Sequence, residues 1–276
     1  MMKIAYQGIP GSYSESCAKQ NYPECETISC KTFDECFEIA NNDSNIKTII
    51  PESNKTTGNI GIEYLIFKFR LNIYAEHFYK ISHNLLSIKG NKIENLIDVY
   101  SHAQALSQSS NFIKKNNLTE QVRADTAGSA KYVSESNDKT KGAIASNLSA
   151  KIYNLEILKE NIQDNEENFT RFLLMGKDII QPEKKNKQYV TSFLFKLKSK
   201  PAALYSALQG MAINGVNMIK LQSFPEKNSF LSYFFLCEVE GHIDEQKIKN
   251  SLEDLNYHCE DMSVLGVFEA DKLRKK

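Results

Sequence analysis

Up to about residue 160, short apolar runs alternate with stretches whose apolar positions recur at helical spacing. Residues 3–6 read as a strand, and residues 12–20 as a helix with a Ser12 cap and Glu15 at capping-box spacing. Residues 32–41 show helical spacing through Phe33, Cys36, Phe37 and Ile39. Residues 48–50 form a buried strand that Pro51 is expected to stop. Further strands are predicted over 73–79, 84–88, 97–100, 122–124 and 142–145, and helices over 60–69, 103–116, 127–136 and 148–153. The run Phe172-Leu173-Leu174-Met175 adds a buried strand. This alternation predicts a doubly wound α/β architecture, whose ligands sit beyond the carboxyl ends of strands.

A polar stretch at 181–188 breaks the pattern. Beyond it the spacing predicts a strand over 191–197, a helix over 202–214 ended by Gly215 and a strand over 218–223. A turn at 225–228, a long strand over 230–240, a helix over 244–255 and a last strand over 259–266 complete the chain. The order β-α-β-β-α-β is the ferredoxin-like split unit. A domain this small would gain from pairing with a second copy.

The 276 residues are 41% hydrophobic and 25% charged with zero formal net charge, an ordinary globular composition. The missing basic excess argues against nucleic acid as a partner. No apolar segment approaches the length of a membrane span, and Gly8 and Pro10 come too early for a signal-peptide core, so a cytoplasmic protein is expected. Six cysteines, at 17, 25, 30, 36, 237 and 259, include no Cys-x-x-Cys pair, and the histidines form no ligand pair. No metal site is expected, and the cysteines read as buried thiols.

Four arginines, Arg70, Arg123, Arg171 and Arg274, stand against thirty lysines. An arginine kept in so Lys-rich a chain points to a use for its planar fork, which grips a carboxylate with two hydrogen bonds. Arg171 enters an apolar strand, where a charge is costly without an anion to meet it. Two partners satisfy that need: an internal acid, Asp164 or Glu166, or a small carboxylate ligand with Thr170 beside its reacting group. Other polar residues follow strands: Gly8 to Ser14, Ser101 to Leu106, Asp125 to Ala130, and Ser146 with Asn147. Each is a helix cap or a piece of an anion-lined pocket.

These segments together resemble prephenate dehydratase. The resemblance rests on the turn at 8–14, Ser101-His102-Ala103-Gln104-Ala105-Leu106, Asp125-Thr126-Ala127, Ala143-Ile144-Ala145-Ser146, and above all Asn168-Phe169-Thr170-Arg171-Phe172. It covers nearly the whole chain. It implies a two-lobed catalytic domain of the type II periplasmic-binding-protein kind over 1–178, with lobe one at 1–75 and 165–178 and lobe two at 76–160. A linker at 179–189 and a C-terminal ACT regulatory domain over 190–270 follow. No helical chorismate mutase segment precedes the first motif, so the monofunctional form is expected.

The resemblance also implies an activity: prephenate loses carbon dioxide and its ring hydroxyl to give phenylpyruvate in phenylalanine biosynthesis, with no cofactor. Thr170, Arg171 and Phe172 are expected at the reaction centre, with Arg171 on a carboxylate. Ser12, Asn54, Ser101, Gln104, Thr126, Ala127 and Ser146 would line the pocket. Phenylalanine would act as an effector near Ala203, Leu204, Asn217 and Ser223 of a homodimer or homotetramer. The chain departs from the family's Pro-Ile-Glu-Asn-Ser segment, having Pro51-Glu52-Ser53-Asn54-Lys55. That leaves room for arogenate, which carries an amine where prephenate has a keto oxygen, or for a non-catalytic small-anion sensor on the same scaffold. In the regulatory region Ala202 and Phe224 replace a usual glycine and arginine.

Overall fold

A computed structural model describes residues 1–226 and 232–275. The first region opens with β1 (Lys3–Gln7), α1 (Tyr13–Asn21), β2 (Glu26–Cys30), α2 (Phe33–Asn42), β3 (Ile46–Asn54), β4 (Gly58–Asn59), α3 (Glu63–Phe69) and β5 (Asn72–Lys80). It continues with β6 (Asn84–Ser87), β7 (Asp98–Ser101), α4 (Ala103–Ser107), α5 (Ser110–Lys115), β8 (Thr119–Val122) and α6 (Thr126–Ser136). Then come β9 (Lys141–Ala145), α7 (Asn147–Ile152), β10 (Glu156–Lys159) and β11 (Phe169–Gly176). One sheet runs β2-β1-β3-β11-β5 with β4 on β3, and a second runs β10-β6-β9-β7-β8. Both are wound with helices, as the alternation predicts.

The C-terminal region holds β12 (Tyr189–Leu197), α8 (Ala203–Ile213), β13 (Met218–Pro225), β14 (Tyr233–Glu240), α9 (Gln246–His258) and β15 (Cys259–Glu269). Their sheet order, β13-β14-β12-β15, is that of the ferredoxin-like unit. Its core gathers Phe193, Phe195, Met211, Val239, Ile248 and Leu255. The expected turn residues Lys227 and Asn228, and Phe230 and Leu231 of the expected strand, lie outside the described residues.

By density of contacts the chain divides into two compact units. One comprises Met1–Cys36, Ile49–Ile60 and His77–Phe172; the other comprises Phe37–Thr48, Gly61–Glu76 and Leu173–Lys276. In the first, the second sheet buries Leu85, Val99, Leu106 and Ile144 in one cluster and Leu86, Ala130, Val133 and Ala143 in another. Among the described residues no helix is long and apolar enough to cross a membrane.

Several local expectations change. Pro51 does not stop its strand, because Ser53 and Asn54 pair with Asn59 and Gly58 of β4 and extend β3. The helix expected over 103–116 breaks into α4 and α5. There the Asp164 backbone N–H takes the Gln108 carbonyl at 2.6 Å, and the Asp164 carboxylate accepts from Ser110 Oγ and Asn111 N at the start of α5. The strand expected at 122–124 lies earlier, at β8, and β10 is an additional edge strand antiparallel to β6.

Ala202 precedes α8 with φ of +57°, in the left-handed region that favours glycine. A methyl there costs about 1–2 kcal/mol, partly offset by the lower entropy of the unfolded alanine chain. Ala202→Gly should therefore raise the melting temperature by about 1–3 °C, measured by calorimetry.

Candidate functional site

The site is built where β11, the segment after β3 and the starts of α1 and α6 meet. Side chains alternate along a strand, so Thr170 and Phe172 share one face of β11 and Arg171 takes the other. Thr170 and Phe172 line a cavity of about 440 Å³, within the usual range for small-molecule sites. Ser12, Asn54, Gln104 and Thr126 line it too. Six of the sequence-derived site residues thus converge on one cavity in the first unit.

The other four do not line it. Arg171, expected to hold a carboxylate, turns away and meets Glu52 at 3.3 Å, both side chains being at most 5% exposed. The internal acid is therefore Glu52 rather than Asp164 or Glu166; Asp164 serves α5 instead. Ser101 Oγ donates to the Ile144 carbonyl at 2.6 Å and ties β7 to β9. Ser146 caps α7 and donates to the Gly11 carbonyl at 2.6 Å. Ala127 is buried in α6. Side-chain hydroxyls and small residues at these turns serve packing and capping, which is why sequence spacing cannot separate them from ligand contacts.

Asn54 is fully engaged. Its Nδ2 donates to Asn168 Oδ1 at 2.9 Å and to Thr170 Oγ1 at 2.8 Å. Its Oδ1 accepts from Thr56 N and Thr56 Oγ1 at 2.9 and 2.6 Å. An amide has two N–H hydrogens, and both are used. Asn54 therefore positions Thr170. Because Thr170 Oγ1 accepts from Asn54, its own proton is left to point at a ligand.

The polar network continues through residues that sequence reasoning missed. Gln108 Nε2 donates to Thr56 Oγ1 at 2.8 Å, and Gln104 Nε2 to Thr57 Oγ1 at 2.9 Å. Gln108 Oε1 accepts from Asn168 Nδ2 at 3.1 Å and faces His83 Nε2 at 2.9 Å. That acceptor assigns the His83 proton to Nε2, so Nδ1 receives the Tyr13 hydroxyl at 2.7 Å. Burial holds the His83 imidazole below its ordinary value, against the opposing pull of Gln108. Burial also pushes the Tyr13 phenol well up. Both are neutral at pH 7. Tyr13 sits inside a turn the sequence had flagged, but nothing in the spacing of His83 or Gln108 announces the site.

No lysine or arginine is among the described residues lining the cavity. Positive potential comes instead from the start of α1. Ser12 caps it, accepting from Glu15 N at 3.3 Å, and the Glu15 carboxylate accepts from Gly11 N at 2.7 Å. The N–H groups of Tyr13 and Ser14 lie in the first turn, where no intrahelical acceptor exists, and are available to an anion. Asp125, not Thr126, caps α6, accepting from Gly128 N at 2.5 Å. His102 Nδ1, not Ser101, accepts from Gln104 N at the start of α4. Phe33, Ile60, Ile81 and Phe172 give the cavity apolar walls.

The four expected effector residues lie in the C-terminal unit. Ala203 begins α8, and Leu204 packs on the core. Asn217 Nδ2 donates to Glu240 at 2.8 Å, and Ser223 pairs with Phe235.

Residues 4–179 match the family model described as "PDT: Prephenate dehydratase". Arogenate dehydratase 2 of Petunia hybrida is 35% identical, over 98% of this chain and 72% of the relative. The solved structure of GqqA, described as a novel type of quorum quenching acylase, is 33% identical with a TM-score of 0.92, covering 99% of each chain. Prephenate dehydratase of Arthrobacter aurescens, solved in complex with L-Phe, superposes with a TM-score of 0.87 at 22% identity, over 98% of this chain and 90% of that one. The last likeness is one of fold.

Removing Glu52 leaves Arg171 buried without this carboxylate. Glu52→Ala should destabilise the fold by about 3–5 kcal/mol in urea titrations. His83 is lowered from 6.5, so the unfolded chain takes up a proton that the native site refuses as pH falls below that value. Stability is therefore lost toward acid, and His83→Gln should flatten the fall in melting temperature between about pH 8 and pH 5.5.

Proposed function

Since the chain belongs to the prephenate dehydratase family, we propose that it aromatises prephenate, or its amino analogue arogenate, by losing carbon dioxide and water. The observation that carries this reading is the Thr170 hydroxyl, which accepts from Asn54 and belongs to a residue that lines the cavity. In the reaction the bond from the ring to its carboxylate breaks, and its electrons enter the ring. The carbon–oxygen bond of the ring hydroxyl breaks in turn, and that oxygen takes up a proton from solvent and leaves as water. Aromatisation drives the step.

Thr170 hydrogen-bonds to the departing oxygen, where negative charge develops. A threonine hydroxyl is a weak acid, so its contribution is a preorganised donor. The N–H groups of Tyr13 and Ser14 receive a carboxylate, and Gln104 and Thr126 add polar contacts from the lining. Phe172, Phe33 and Ile81 pack on the ring and exclude water. Arg171, held by Glu52, anchors β11 and so positions Thr170.

The reading assigns the reaction to residues 1–178 and a regulatory ACT role to 190–270, with 179–189 as linker. Phenylalanine would bind near Ala203, Leu204, Asn217 and Ser223. The turn at Ala202 supports this site, since the alanine takes the left-handed conformation a glycine would adopt. Arogenate is favoured as a substrate by one further feature: the carboxylate of Asp125 lines the cavity and suits an ammonium group.

The test is purified protein with each substrate, product formation being followed by absorbance. Thr170→Ala should lower kcat by about 10²–10³-fold with an unchanged circular dichroism spectrum, and Thr170→Ser should restore much of it. Full activity in Thr170→Ala would overturn the assignment.

A further inference from the structure

Three of the four arginines carry carboxylates: Arg70 holds Asp261, Arg171 holds Glu52 and Arg274 holds Glu76. Arg123 has no ion-pair partner among the described residues; its guanidinium lies over the Tyr132 ring, 4.1 Å from the centroid. That stacking keeps the fork in place without neutralising it. Arg123 and Gly128 line a second hollow of about 240 Å³, together with Val122, Ala124 and Asp125. Ala124 and Asp125 also line the main cavity, so the two hollows share a wall.

Asp125 is held in place by Gly128, whose N–H donates to Oδ1 at 2.5 Å. A Cβ at position 128 would stand 2.9 Å from Asp125 Oδ2. Glycine inside a helix costs about 1 kcal/mol relative to alanine, and here it leaves room for the carboxylate. A guanidinium with no ion-pair partner among the described residues and a carboxylate thus flank one hollow beside the reaction cavity. That pair complements the two charges of an α-amino acid: carboxylate on the guanidinium, ammonium on the carboxylate.

We propose that Arg123 and Asp125 form a head-group site for the α-amino acid end of the substrate, and that the chain accordingly uses arogenate in preference to prephenate. The proposal rests on the dehydratase reading above. A keto acid brings the same carboxylate to Arg123 but nothing for Asp125, whose charge then opposes it.

The experiment compares kcat/KM for arogenate and prephenate in the full chain. Asp125→Asn is the informative variant, because asparagine caps a helix as well as aspartate and only the charge is lost. The arogenate-to-prephenate ratio should fall about tenfold or more in Asp125→Asn, as expected for one charge-assisted hydrogen bond. Arg123→Gln should raise KM for both substrates. An unchanged ratio in Asp125→Asn, or prephenate preferred by the unaltered protein, overturns the proposal and leaves the dehydratase reading standing. Calorimetric titration of both compounds separates the two claims. Tighter binding of arogenate, weakened in Asp125→Asn, would support the head-group site even if neither compound were turned over, in which case the dehydratase reading alone fails.

Discussion

The buried pair between Arg171 and Glu52 is the constraint on which the site depends. It joins β11 to β3, neighbours in the first sheet. With Arg171 fixed on one face of β11, strand alternation sends Thr170 and Phe172 to the other. A buried ion pair is weak evidence for net stability, since desolvating both charges offsets much of their attraction. Its value here is directional: slipping β11 by one residue would bury Thr170 against Glu52 and swing a guanidinium into the cavity. The pair sets the register, and the register presents the hydroxyl.

Around that hydroxyl the site relies on neutral groups. Asn54, Asn168, Gln108, Thr56, His83 and Tyr13 are joined by hydrogen bonds, and the Asn54 Oδ1 and Nδ2 atoms are both engaged. Such a network holds its members in one arrangement because each alternative leaves a buried donor or acceptor unmet.

Much of the fold was legible along the chain. Ser12 with Glu15, and Gly215 after α8, marked helix ends that the structure keeps. Apolar periodicity located most strands, and the order of elements in the C-terminal region sufficed for its topology. The failures have a common cause. Pro51 looked like a stop, but β4 supplied partners for the residues beyond it. Residues 103–116 looked like one helix, but Asp164, more than fifty residues away, claimed the Gln108 carbonyl. Thr170, Phe172, Ser12, Gln104 and Thr126, singled out from their motifs, line the cavity. Ser101, Ser146 and Ala127 have the same motif character and serve packing instead.

The sequence by itself determined the alternation of strands and helices, the ferredoxin-like C-terminal order and the five motifs that identify the family. Each follows from local chemistry: hydrophobic period, capping residues and turn residues. Only the tertiary structure decided that Arg171 answers to Glu52, that Asn54 holds Thr170, and that His83 and Gln108 line the same cavity. The reason is physical. A side chain's type and spacing limit what it can bond to, but its partner is chosen by which strands lie side by side and which face each presents, and the pairings that matter here span from twenty-five to more than a hundred residues.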